Sequence, residues 1–114
     1  MPTSFLIVDD HPSFRAAARM MLEAEGFEVV GEAVDGATAI SAARRLMPDA
    51  VLLDVNLPDT DGFAVAAQLP AGPAIVLTSS RDAREFGPLI ERSGARAFVA
   101  KADLSGAKLR ELLA

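Results

Sequence analysis

Five short apolar runs, each followed by a stretch with helical spacing, constrain this chain more than any other feature of its sequence. The runs cover residues 4–9, 27–33, 50–53, 74–78 and 94–100. Continuous aromatic and β-branched character is what a strand covered on both faces requires. Strands alternating with helices imply a parallel sheet with right-handed crossovers. At 114 residues the chain has room for one such domain, residues 1–114, and too little for two. The expected architecture is α/β: a doubly wound five-stranded parallel sheet of order 2-1-3-4-5 with helices on both faces.

The punctuation between the runs supports this reading. Pro12 suits a first helical turn, with Asp10 or His11 expected to cap it. Phe14, Ala17, Ala18, Met21 and Leu22 then recur at helical spacing until Gly26 provides a stop. Asp35-Gly36 makes a turn, and Ala39, Ile40, Ala43 and Leu46 or Met47 mark a second helix, ended by Met47-Pro48-Asp49. A short third helix is expected over residues 62–68. The fourth, running to about Ser93, is interrupted by Gly87-Pro88 and should begin late, be short, or bend. A last helix over residues 104–113 should turn Leu109, Leu112 and Leu113 inward.

Composition removes several function classes. Hydrophobic residues make up 51% and charged residues 24%, the balance of a globular chain and not a disordered one. A net charge of −5 lacks the basic footprint of a nucleic-acid binder, so this segment is not expected to touch DNA. The absence of cysteine removes disulfides, zinc-thiolate sites and thiol nucleophiles. No stretch approaches the ~20 apolar residues that span a bilayer. Two aspartates cut short the first apolar run, unlike a secretion signal. A cytoplasmic location is the default expectation.

Chemistry-bearing residues stand where the strands end. The first run ends in Asp9-Asp10 and the third in Asp54, ahead of the turn residues Leu57-Pro58-Asp59 and Asp61-Gly62. In open α/β sheets, ligands bind outside the carboxyl ends of the strands, at the point where strand order reverses. Strands one and three are neighbours there, so Asp9, Asp10 and Asp54 should converge. Three crowded carboxylates raise pKa or call for a cation, and a hard ion such as Mg²⁺ suits oxygen ligands. Thr78 closes the fourth strand with a hydroxyl, and Lys101 closes the fifth with an ammonium. Hydroxyl, cation and carboxylates at one rim suit a phosphoryl group, whose transfer depends on positioning and charge stabilisation. His11 follows the acidic pair and is read as a cap or surface residue; Met20-Met21 is read as core or flank.

The set Asp9-Asp10, Asp54, Thr78 and Lys101, with Asp9-Asp10-His11-Pro12, residues 54–62 and residues 94–101 matching in spacing, resembles the response-regulator receiver domain of two-component signalling. The resemblance covers essentially the whole chain and implies a flavodoxin-like fold. It implies that Asp54 is the phosphoacceptor, receiving phosphate from a sensor histidine kinase. Asp10 and Asp54 would ligate Mg²⁺ directly, Asp9 through water, and Asn56 through its backbone carbonyl. Thr78 and Lys101 would bind the phosphoryl oxygens, and Phe98 occupies the position of a rotating aromatic switch. The expected product is a phosphorylation-activated switch with an output partner, catalysing only its own phosphorylation and dephosphorylation, and a candidate for homodimerisation.

Two departures stand out. Ala102 follows Lys101 where such domains commonly have proline in a cis peptide, so a trans bond is expected. Gly87-Pro88 and the short third helix alter the expected output face. Three rivals remain: the receiver portion of a DNA-binding regulator, a Mg²⁺-dependent phosphohydrolase, and a degenerate receiver that only binds partners. Asn56, where such hydrolases carry a second acid, argues against the second. The intact residue set argues against the third.

Overall fold

The computed structural model describes residues 2–114. Strands β1 (Ser4–Val8), β2 (Glu28–Ala33), β3 (Ala50–Asp54), β4 (Ala74–Ser79) and β5 (Ala97–Ala100) form one sheet of order β2-β1-β3-β4-β5. Every pairing is parallel. The sheet therefore has the doubly wound order expected from the alternation.

Period-two alternation divides the core. Leu6, Val8, Val51, Leu53, Ile75 and Leu77 point to one face, under α2 (Gly36–Leu46) and α3 (Gly62–Gln68). Phe5, Ile7, Ala50, Leu52, Val76 and Val99 point to the other, under α1 (Pro12–Ala24) and α5 (Gly106–Leu113). Both faces are covered, which explains why the strands read as unbroken apolar runs. Ala18 and Leu22 anchor α1, and Leu109 anchors α5 with Leu112 and Leu113 at its margin. Gly26, at φ +91°, takes the left-handed conformation just past the end of α1.

The helix ends hold the differences from expectation. Neither Asp10 nor His11 caps α1 by its side chain: His11 is the capping residue, but its own amide donates to Asp9 Oδ1 at 2.7 Å. Asp35 does more than turn the chain, accepting from the Thr38 amide at 2.8 Å as the cap of α2. The last helix starts at Gly106, not at 104, because a 3-10 turn over Lys101–Asp103 comes first and Ser105 then caps the helix. β5 begins at Ala97, since Gly94 (φ +78°) belongs to a turn. The fourth helix is short as expected: α4 is Leu89–Arg92, preceded by a separate 3-10 turn over Ala83–Glu85. Among the described residues no peptide bond is cis, as the Lys101-Ala102 sequence led one to expect.

Candidate functional site at the carboxyl rim

Strand register brings the site together. Val8 pairs with Leu53, Asp54 with Thr78, and Thr78 with Val99. Asp9 follows Val8 directly, and its amide still donates to Ala33 of β2 at 3.0 Å. Asp9, Asp54 and Thr78 thus end up buried side by side, whereas Asp10 and His11 stand exposed above them. Carboxylate oxygens of Asp9, Asp10 and Asp54 and a ring nitrogen of His11 all lie within 4.8 Å of one another. Lys101 reaches in from the end of β5, its Nζ 2.7 Å from Asp9 Oδ2 and 3.4 Å from Asp54 Oδ2.

The two buried carboxyls are not equivalent. Burial works against a charge on Asp9, but hydrogen bonds from Lys101 and the His11 amide outweigh it and hold its carboxyl below the ordinary value. Burial pushes Asp54 up to about 6, opposed by the Asn56 amide and reinforced by the neighbouring Asp9. A single cation shared between two acids favours one of them. Asp9 holds the short bond to Lys101, so Asp54 is the group whose charge is least compensated.

The loop after β3 is closed on itself. Val55 binds the Thr78 carbonyl through its amide, Gly62 N–H returns to the Val55 carbonyl at 2.7 Å, and Leu57 N–H to the Thr60 carbonyl at 3.2 Å. These bonds bring Asn56 opposite Asp61 while using neither the amide nor the carbonyl of Asn56. Its amide goes instead to Asp54 Oδ1 at 3.1 Å. Gly62 is required by this closure: a Cβ there would lie 2.6 Å from the Asp54 carbonyl oxygen. The Asp9, Asp10 and Asp54 carboxylates and the uncommitted Asn56 carbonyl offer hard oxygens that fit Mg²⁺, with the exposed His11 ring nitrogen a softer donor beside them.

Thr78 and Phe98 lie where the sequence placed them, on β4 and β5. The Thr78 hydroxyl donates to the Val99 carbonyl at 2.7 Å. The Phe98 ring is half-buried and stacked at a tilt on Phe86, 5.5 Å between centroids, and Phe86 in turn meets Phe63 of α3. Three neighbours of the site have other readings in the sequence. His11, read as a cap or surface residue, places Nδ1 2.9 Å from Asp9 and 3.2 Å from Asp10. Phe14 lays its ring 4.2 Å from Lys101 Nζ. Asp59 reaches across to α2 through two hydrogen bonds. The available signal for Phe14 was its position in the first turn of α1, close behind the acidic pair; no local pattern distinguished Asp59 from an ordinary turn residue.

Comparison with known proteins agrees with this geometry. The family model for the response regulator receiver domain matches residues 5–114. A protein of Pseudomonas aeruginosa named as a transcriptional regulator is 42% identical over 112 residues, covering 95% of this chain and 52% of that protein. The chain spans about half the length of the curated relatives it matches. The receiver domain of the response regulator NarL from Mycobacterium tuberculosis superposes with a TM-score of 0.83 at 32% identity, over 97% of this chain and 96% of that one. The receiver domain of the Pseudomonas aeruginosa sensor histidine kinase PA1611, described with a magnesium ion coordinated in its active-site cleft, shares the fold. Its TM-score is 0.83 at 24% identity, over 99% of this chain and 95% of that one. Among the described residues no helix is long and apolar enough to cross a membrane. The acidic rim, the sheet order and the family match carry one conclusion: the chain belongs to the response regulator receiver domain family of two-component signalling.

Proposed function

We propose that Asp54 accepts a phosphoryl group from a phosphohistidine of a sensor kinase, in a reaction assisted by Mg²⁺. The observation that carries the reading is the convergence of Asp54 with Asp9, Asp10 and the Lys101 ammonium at one strand-end rim. A carboxylate oxygen of Asp54 would attack phosphorus as the phosphorus–nitrogen bond to the donor imidazole breaks, leaving an aspartyl phosphate. When bound, Mg²⁺ supplies positive charge to the phosphoryl oxygens. Asp10, Asp54 and the Asn56 carbonyl would hold it directly and Asp9 through water; the magnesium described for the PA1611 receiver supports the choice of ion. Lys101 is within reach to pair with a phosphoryl oxygen. The same residues would admit a water to attack phosphorus and break the Asp54 oxygen–phosphorus bond, releasing inorganic phosphate, and no other substrate is needed.

The phosphate then acts as a signal. Its oxygens would attract the Thr78 hydroxyl away from the Val99 carbonyl, and that movement would free space toward which Phe98 turns. Contacts that differ between the two states are what allow a ligand to shift such an equilibrium. Residues 1–114 would thus act as one receiver domain in the cytoplasm, with a kinase on one side and an output partner, or a second copy, on the other.

The test is Asp54→Asn, which keeps the shape and removes the nucleophile. Labelling by a phosphorylated kinase, or by a small acyl phosphate with Mg²⁺, should be base-labile in the wild type and absent in the variant. Undiminished labelling of Asp54→Asn would remove Asp54 from this role. A second reading is favoured by the length of the relatives named as transcription regulators, about twice that of this chain. In it, the receiver governs a DNA-binding partner domain and makes no DNA contact itself. Phosphate-dependent DNA binding when it is joined to such a domain would support that reading.

A further inference from the structure

The loop over residues 55–61 is a closed hairpin with Leu57 packed against the core. Among the described residues, the hydrogen bonds joining 57–60 to another element are the two accepted by Asp59. Gly36 N–H donates to its Oδ1 at 2.8 Å, and Ala37 N–H to its Oδ2 at 3.1 Å. These are the first two amides of α2, and the third, Thr38 N–H, is taken by Asp35. Between them the two carboxylates satisfy the amides that a helix start leaves free. The amide bonds hold the Asp59 carboxyl below its ordinary value, as befits an acceptor that is charged when it binds. The approach is close as well as bonded: a Cβ on Gly36 would lie 2.4 Å from Thr60 Cγ2, 3.0 Å from Val65 Cγ2 and 3.3 Å from Asp59 Oδ1. α2 can therefore meet the loop tip at this distance only through a residue without a side chain.

We propose that Asp59 is a positioning residue: its carboxylate ties the tip of the acceptor loop to the start of α2, and so holds the Asn56 carbonyl at the metal position. The proposal rests on the reading that Asn56 offers that carbonyl to Mg²⁺. Asn56 stands at the base of the hairpin, flanked by the bonds that close it, so the direction of its carbonyl follows the hairpin as a unit. Without the tie at the tip, the hairpin keeps its internal bonds and its hold on β3 and β4 but loses the contact that fixes its tip against α2. Asp59 thus acts through Asn56 and touches no reacting atom.

The test compares two caps of the same helix. Asp35→Ala removes a cap of α2 and leaves the acceptor loop alone, whereas Asp59→Ala removes a cap and the tie together. Mg²⁺ binding is followed by calorimetry on the whole chain, beside unfolding in urea. Asp59→Ala should weaken Mg²⁺ binding on the order of tenfold, the lower end of what lost support of a metal ligand does. Asp35→Ala should bind as the wild type does, although both variants unfold at lower urea. Asp59→Asn keeps an oxygen for the Gly36 amide and should recover part of the affinity. Gly36→Ala changes no charge but displaces Thr60, and should also weaken binding. Equal Mg²⁺ affinity in the wild type and Asp59→Ala overturns the proposal, as do equal losses in Asp35→Ala and Asp59→Ala. Unchanged affinity in Gly36→Ala beside a loss in Asp59→Ala would make the effect one of nearby charge and overturn it too. A wild type that binds no Mg²⁺ instead overturns the metal reading on which the tie depends.

Discussion

The rim of the sheet and the segment over residues 83–92 are neighbours built on opposite terms. At the rim, Asp9, Asp54, Thr78 and Ser79 are buried, and each is continuous with a strand paired on both sides or an amide still in the ladder. In the 3-10 turn Ala83–Glu85 and in α4, no residue is buried, and Gly87 between them holds φ +55°. Phe86 is the main attachment, its ring resting between Phe63 and Phe98. Groups that would meet a phosphoryl group in the proposed reaction are fixed by the sheet. The surface that would report on it is held by one chain of aromatic contacts, so it is the part that can rearrange at little cost.

Deleting side chains in the two regions should widen the contrast most. Leu52→Ala, in the fully buried strand behind Asp54, should cost about 2–5 kcal/mol in urea unfolding. Leu89→Ala, at a residue 48% exposed in α4, should stay within about 0.5 kcal/mol. A loss at Leu89 as large as at Leu52 would mean that the segment is part of the cooperative core.

Charge at the rim gives the next effect, with a sign that is specific to Asp54. Its folded carboxyl titrates at about 6 against an ordinary 3.8, so the folded state holds a proton more tightly than the unfolded one. Stability is then highest with Asp54 protonated and falls as pH rises from 3.8 through about 6, by up to about 3 kcal/mol. Asp9 runs the other way: its depressed carboxyl contributes stability at neutral pH that is lost as pH falls below its ordinary value. Asp54→Asn should therefore raise the metal-free stability at pH 7.5 and leave it nearly unchanged near pH 4, as urea midpoints at the two pH values would reveal. A variant equally stabilised at both would assign the gain to packing instead of charge.

The smallest effect is a shift of population between the two regions. Beryllofluoride with Mg²⁺, a mimic of the phosphoryl group, should move NMR signals of Phe98 and of residues 83–92 as well as those around Asp54. In Thr78→Ala the distant shifts should shrink while those at Asp54 persist, since the hydroxyl that would change partners is gone. Shifts confined to the loops around Asp54 would separate the regions and end the switch reading.

The element order, the sheet order and the residues of the rim were legible in the sequence because each follows from a local pattern. Apolar runs give strands, and a carboxylate at the end of a run places an acid at the rim once strands one and three are neighbours. Turns and caps at the ends of elements were less legible, because several residues compete for the same amides. Asp10 and His11 were both plausible caps of α1, yet the His11 amide belongs to Asp9, which lies at the end of a paired strand and cannot move. The last helix waits for Ser105 because residues 101–103 first turn to aim Lys101 into the rim.

By itself, then, the sequence determined the parallel sheet, the acidic triad with its threonine and lysine, and the weakness of the fourth helix at Gly87-Pro88. Only the tertiary structure decided which acid takes the Lys101 ammonium, that the Phe14 ring lies over it, and that Asp59 joins the loop after β3 to α2. Those three depend on pairs distant in the chain, such as Asp9 with Lys101 and Gly36 with Asp59. A periodic pattern records which face a residue takes, but not which remote partner the packed sheet brings within 3 Å of it.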